Sequence, residues 1–112
     1  MDYELMVADT TLPPCIPLPR AAVKLPICST AKVLYARLLG EILTEGIPDD
    51  NGILFIRFPI VELAAAICRS PMTVKRSLNE LEQAGMIMRV RQSVGEASHI
   101  YILIPKTGAA YE

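Results

Sequence analysis

Tryptophan is absent, phenylalanine occurs twice and histidine once. The core must therefore be aliphatic, made of Leu, Ile, Val, Ala and Met. The single imidazole, His99, has no companions and reads as a strand residue, not a catalytic one. Cysteine is also scarce. Cys15, Cys28 and Cys68 are odd in number and form no CxxC pair, which argues against a disulfide framework or a zinc site and fits a reducing cytoplasm. Cys68 closes an apolar helix face and is expected to be packed. Neither sign of charge dominates. A net charge of −1 argues against a protein that coats nucleic acid through its overall charge, while leaving a local basic face open.

Long apolar runs are missing too. Arg37, Glu41 and Glu62 interrupt them well short of the ~18 residues a membrane span requires. The start, MDYELMVADTT, is acidic and lacks the apolar region of a signal peptide. No GxxxxGK[ST] loop is present to cradle a nucleotide. Asp49 and Asp50 have no further ligands at suitable spacing for a metal. The chain is thus expected to be a soluble cytoplasmic protein, not an enzyme, with no cofactor and no metal.

What remains is one domain's worth of chain: 112 residues, 52% hydrophobic and 21% charged, enough to build a single core. Residues 1–15 read as a loose leader, 16–106 as the folded domain and 107–112 as a frayed tail. Pro13, Pro14, Pro17, Pro19 and Pro26 break any long helix near the start. The apolar IPLPRAAVKLPI is expected to pack as an extended arm with one helical turn. Ser29 then reads as the N-cap of a helix with Ala31, Leu34, Tyr35, Leu38, Leu39 and Ile42 on one face, ended by Gly46 and Pro48.

ILFIRF, after the turn at Asp50, Asn51 and Gly52, reads as a strand near 53–57. PIVELAAAIC is a short second helix. CRSPMTVKRSLNELEQAGMI begins with a cap at Ser70 and Pro71 at the first helical position, which predicts a third helix over 71–84 joined to the second by a sharp turn. Val74, Leu78 and Leu81 form its inner stripe, while Met72, Thr73, Arg76, Asn79, Glu80 and Gln83 point outward. Residues 86–104 alternate and turn once at SVGEAS, predicting a hairpin with Met86, Met88 and Val90 on one face and Ile87, Arg89 and Arg91 on the other. The fold class is α+β: a winged helix-turn-helix of three main helices with a small antiparallel sheet.

That order favours DNA. A helix fits the major groove, and its N-terminal turn offers N–H groups to phosphate. The candidate contacts are Arg69, Ser70, Met72, Thr73, Lys75, Arg76 and Ser77, with Arg89 and Arg91 on the hairpin. Basic residues gather between Arg69 and Arg91, against Glu80 and Glu82 alone. Glu80 would repel a deeply entered phosphate backbone, and Glu96 is awkward at the hairpin tip. Alternative uses of the same fold are a transcriptional regulator of a mobile element and a protein-docking module.

Four segments carry a resemblance: CSTAKVLYARLL (28–39), DDNGILFIRF (49–58), ELAAAICRSPMTVKRSLNELEQAGMI (62–87) and HIYILI (99–104). Together they resemble the N-terminal domain of plasmid replication initiator protein A, over about residues 16–106. The distinctive piece is S-x-x-A-K-x-L-Y-x-x-L-L followed by D-x-N-G before a strand. The resemblance implies a winged-helix domain that binds repeated origin sequences, with the segment from Ser70 to Ser77 as recognition helix. A homodimer and host replication proteins are further candidate partners. Family members are usually longer and more basic, so DNA binding transfers more directly than initiation.

Overall fold

A computed structural model describes residues 2–105; the tail expected over 107–112 lies outside the described residues. The elements run α1 (Arg20–Val23), α2 (Ser29–Glu45), β1 (Ile47–Pro48), β2 (Leu54–Arg57), α3 (Ile60–Ile67), α4 (Pro71–Gln83), β3 (Ile87–Val90) and β4 (His99–Ile102). The fold is the α+β winged helix-turn-helix. Helices α2 and α4 pack on one face of an antiparallel sheet of order β1-β2-β4-β3, and α3 packs on both of these helices. No helix among the described residues is long and apolar enough to cross a membrane.

The α2 stripe forms the spine of the core. Ala31, Leu34, Tyr35, Leu38 and Ile42 are buried against Leu63 and Ala64 of α3, Val74, Leu78 and Leu81 of α4, and Ile56, Ile87 and Ile100 of the sheet. Each large aliphatic side chain so buried contributes about 1.5–3 kcal/mol. Tyr35 is fully buried yet satisfied, because its hydroxyl donates to the Leu103 carbonyl at 2.8 Å. That bond ties the middle of α2 to the end of β4, and burial pushes the phenol pKa up.

The proline-rich arm docks through a few contacts. Ile16 and Pro17 cross α2 at Gly40, where an added Cβ would come within 3.3 Å of the Pro17 ring. The α1 turn buries Ala22 in the core, and Lys32 donates to the Val23 carbonyl. Residues 2–9 are exposed.

Three details differ from the sequence expectation. The N-cap of α2 is Cys28, not Ser29, and no side chain of its own caps the helix. An extra strand, β1, pairs with β2 through Ile47 and Pro48. Proline is tolerated there because β1 lies at the sheet edge, where one missing N–H breaks no ladder. Cys68 is exposed, not packed, because it occupies the left-handed region (φ 57°) and ends α3. There its N–H donates to the Ala65 carbonyl at 3.3 Å and that of Arg69 to the Ala64 carbonyl at 3.0 Å. This paired closure reverses the chain within Cys68, Arg69 and Ser70, so α4 starts at once.

Candidate nucleic-acid interface

The candidate interface is built on α4. Ser70 caps it: its Oγ accepts the Thr73 N–H at 3.2 Å and donates to the Thr73 Oγ1 at 3.0 Å. The Ser70 hydroxyl is therefore spent on the cap, and Thr73 keeps a hydroxyl hydrogen to donate outward. Pro71 has no N–H and that of Thr73 is taken. Of the four N–H groups at a helix start, one is therefore missing and one is taken, which leaves more of any contact to side chains. At the other end the N–H groups of Gly85 (φ 77°) and Met86 donate back to the Glu82 and Leu81 carbonyls at 3.1 and 2.9 Å. This closure sends the chain straight into β3, so the hairpin lies against α4.

Helical spacing divides the side chains of α4. Val74, Ser77, Leu78 and Leu81 are buried. Ser77 is 3% exposed, which corrects its expected place among the contacts: it shares the inner stripe with Val74 and Leu81, three and four residues away. Met72, Lys75, Arg76, Asn79 and Gln83 are exposed. Among the described residues, Lys75, Arg76 and Arg91 have no hydrogen-bond or ion-pair partner. Arg69 is exposed on the turn, where its Nη1 donates to the Cys68 carbonyl at 3.0 Å.

Both acids of α4 are held at its flanks. Glu80 leans toward α2, where its carboxylate accepts the Cys28 N–H at 3.3 Å and the Cys28 thiol at 3.0 Å. The unoccupied cap of α2 thus receives a negative group at its positive dipole end. Glu82 leans toward the sheet, where Oε1 meets the Arg89 Nη2 at 2.8 Å and Oε2 accepts the Arg89 N–H at 3.3 Å. The Arg89 hydrogen bond, opposed by burial, holds the Glu82 carboxyl below the usual range.

Arg89 differs from the expectation that it reaches outward beside Arg91. In β3 the inner positions are Ile87 and Arg89, while Met88 and Val90 are exposed on the other face. Arg89 accordingly turns to α4, and its Nη2 also donates to the Asn79 Oδ1 at 2.7 Å. It is part-buried and its charge is neutralised by Glu82. Arg91 is exposed beyond it. A cleft of about 620 Å³ between α4 and the hairpin is lined by Lys75, Asn79, Glu82, Arg89, Arg91 and Glu96.

Spacing alone could have identified Asn79, which lies four residues after Lys75 and three after Arg76 on the outer ridge. Nothing local in the sequence pairs Glu80 with Cys28. His99 belongs elsewhere: it stacks on Phe55 with centroids 4.0 Å apart and accepts from the Arg57 Nε at 3.3 Å. Asp49 is a turn residue that accepts from the Asn51 and Ile53 N–H groups and from the Tyr101 hydroxyl. No group of three His, Cys, Asp or Glu among the described residues could hold a metal ion.

Solved structures share this fold at low sequence identity. A Rep–DNA complex superposes with a TM-score of 0.72 at 16% identity, covering 84% of this chain and 78% of the other. An MDR initiator gives 0.70 at 20% identity, covering 84% and 79%. An N-terminal domain of a DNA-binding protein gives 0.66 at 15% identity, covering 95% and 87%. No curated protein gave a significant match. The family model of the replication initiator protein A N-terminus matches residues 24–107, three quarters of the chain, and the protein belongs to that family.

Proposed function

We propose that this domain binds double-stranded DNA sequence-specifically, as the DNA-binding domain of a replication initiator, by setting α4 in the major groove with the hairpin alongside. One observation carries the reading. Both acids of α4 are drawn off its outer ridge, Glu80 to Cys28 and Glu82 to Arg89, leaving Met72, Lys75, Arg76 and Asn79 to face a ligand. A helix whose exposed ridge keeps cations and amides and sheds its carboxylates is suited to a polyanion with readable edges. The Rep–DNA complex and the other neighbours support the same use of the fold.

Roles follow from what each side chain has free. Arg76 is the base-reading candidate. Lys75, Arg91 and Arg69 contribute charge toward the phosphates, Thr73 donates a hydroxyl, and Met72 offers an apolar contact such as a thymine methyl. Ser70 acts through the cap, Ser77 through the core, and Arg89 through α4. The activity is binding without covalent chemistry, with repeated origin sequences as the target and assembly of copies, then contact with host replication proteins, as later steps.

Selection of bound duplexes from a random pool tests this. Direct repeats are expected, and Arg76→Ala should weaken binding to the selected site by about 1–3 kcal/mol. Palindromes would point to a two-fold transcriptional regulator. No enrichment at low salt would contradict DNA binding and favour protein docking.

A further inference from the structure

Asn79 and Arg89 carry an inference that rests on the DNA reading above and sharpens it. A guanidinium only donates. Because the Arg89 Nη2 lies 2.7 Å from the Asn79 side chain, the carboxamide turns its oxygen to Arg89 and its NH2 away. Arg89 is itself fastened. Its Nε and Nη2 donate to the Glu82 Oε1 at 3.2 and 2.8 Å, and its backbone N–H donates to Oε2 at 3.3 Å. The network is thus set before any ligand arrives, and its three side chains line the cleft between α4 and the hairpin.

An unconstrained asparagine reads adenine with both ends of its amide, the oxygen accepting from N6 and the nitrogen donating to N7. Here the Asn79 oxygen is held on Arg89 and the NH2 is the group turned outward. We infer that Asn79 is a specificity-determining residue that reads DNA through its outward NH2 donor, and that Arg89 is the residue that positions it. Such a donor suits guanine, whose major-groove edge carries acceptors at both N7 and O6. Adenine offers the same donor N7 alone, and where guanine has O6 its N6 amino group meets the Asn79 NH2 donor to donor.

The test compares duplexes selected from a random pool by wild type, by Asn79→Ala, and by the paired variant Glu82→Gln with Arg89→Met. The pair keeps an apolar stem against α4 and removes both charges, so no acid is uncovered. Thermal unfolding checks the fold of each variant, while base preference reads the role. Wild type is expected to favour guanine over adenine roughly tenfold at one position. Asn79→Ala should become indifferent there, and the paired variant should accept adenine comparably. The inference is overturned if Asn79→Ala keeps every preference of the wild type, as it would if the NH2 met only a phosphate. It is equally overturned if wild type favours adenine at the position Asn79 controls, or if the paired variant still rejects adenine there. In all three cases the groove reading stands. If wild type enriches no duplex, both readings fall.

Discussion

Glu80 reaches from the last turn of α4 to the start of α2, where its carboxylate accepts both the N–H and the thiol of Cys28, at 3.3 and 3.0 Å. In a capping box a glutamate three residues into a helix binds the N-cap N–H. That position in α2 is Ala31, so the carboxylate comes instead from a helix far along the chain. One residue thereby caps the longest helix and clears a negative charge from the outer ridge of α4.

The capping role makes Glu80 a stability residue. Glu80→Ala is expected to lower the free energy of unfolding in urea by about 1 kcal/mol, and Glu80→Gln, which keeps an oxygen for the Cys28 N–H, by less. Equal stability of Glu80→Ala and wild type would show that the contact contributes nothing.

Cys68 holds a left-handed backbone conformation, φ 57°, between α3 and α4. A side chain with a Cβ is disfavoured there by roughly 1–2 kcal/mol, and the greater freedom of glycine in the unfolded chain offsets part of this. Cys68→Gly is therefore expected to stabilise the domain by about 0.5–1 kcal/mol. Cys68→Val should destabilise it, since a β-branched side chain is worse in this region. Thermal unfolding of the two variants checks both signs, and a more stable valine variant would contradict the strain assigned to this turn.

Acid should destabilise the fold through two carboxylates. Glu82 is held below its usual pKa chiefly by the Arg89 side-chain hydrogen bond, and Asp49 chiefly by the Ile53 N–H, with burial opposing in both. Each group binds fewer protons folded than unfolded at the same pH. Its stabilisation is complete above the unfolded pKa, about 4, and is lost as pH falls through the lower folded value. Unfolding in urea measured downward from pH 5 should show stability falling on this limb, with a shallower fall in Glu82→Gln and in Asp49→Asn. An unchanged slope in both would count against these assignments.

Local signals were readable wherever a short-range rule sets the structure. The apolar period of α2, the Ser70–Pro71 start of α4, the glycine closure at Gly85 and the alternation of the hairpin all act within a few residues, and together they specify a winged helix. Contacts between distant elements were not readable. The α2 cap at Cys28 has no local partner and depends on Glu80, and β1 is too short and too proline-bearing to show a strand pattern. The alternation of β3 separated Arg89 from Met88 but could not say which face met α4. Burial of Ser77 followed from helix spacing, yet a small hydroxyl residue carries too weak an apolar signal to be placed inside.

The most direct measurement is the salt dependence of binding to a selected duplex by wild type and by Lys75→Ala, Arg76→Ala and Arg91→Ala. If these unpartnered cations face phosphates or base edges from α4 and the hairpin, affinity falls steeply with salt. Removing a phosphate contact should then reduce the slope of log K against log salt by about 0.9. Lys75→Ala and Arg91→Ala are expected to show that loss on every sequence, and Arg76→Ala mainly a loss of preference for the selected site. Wild-type affinity and slope preserved in all three variants would contradict the account.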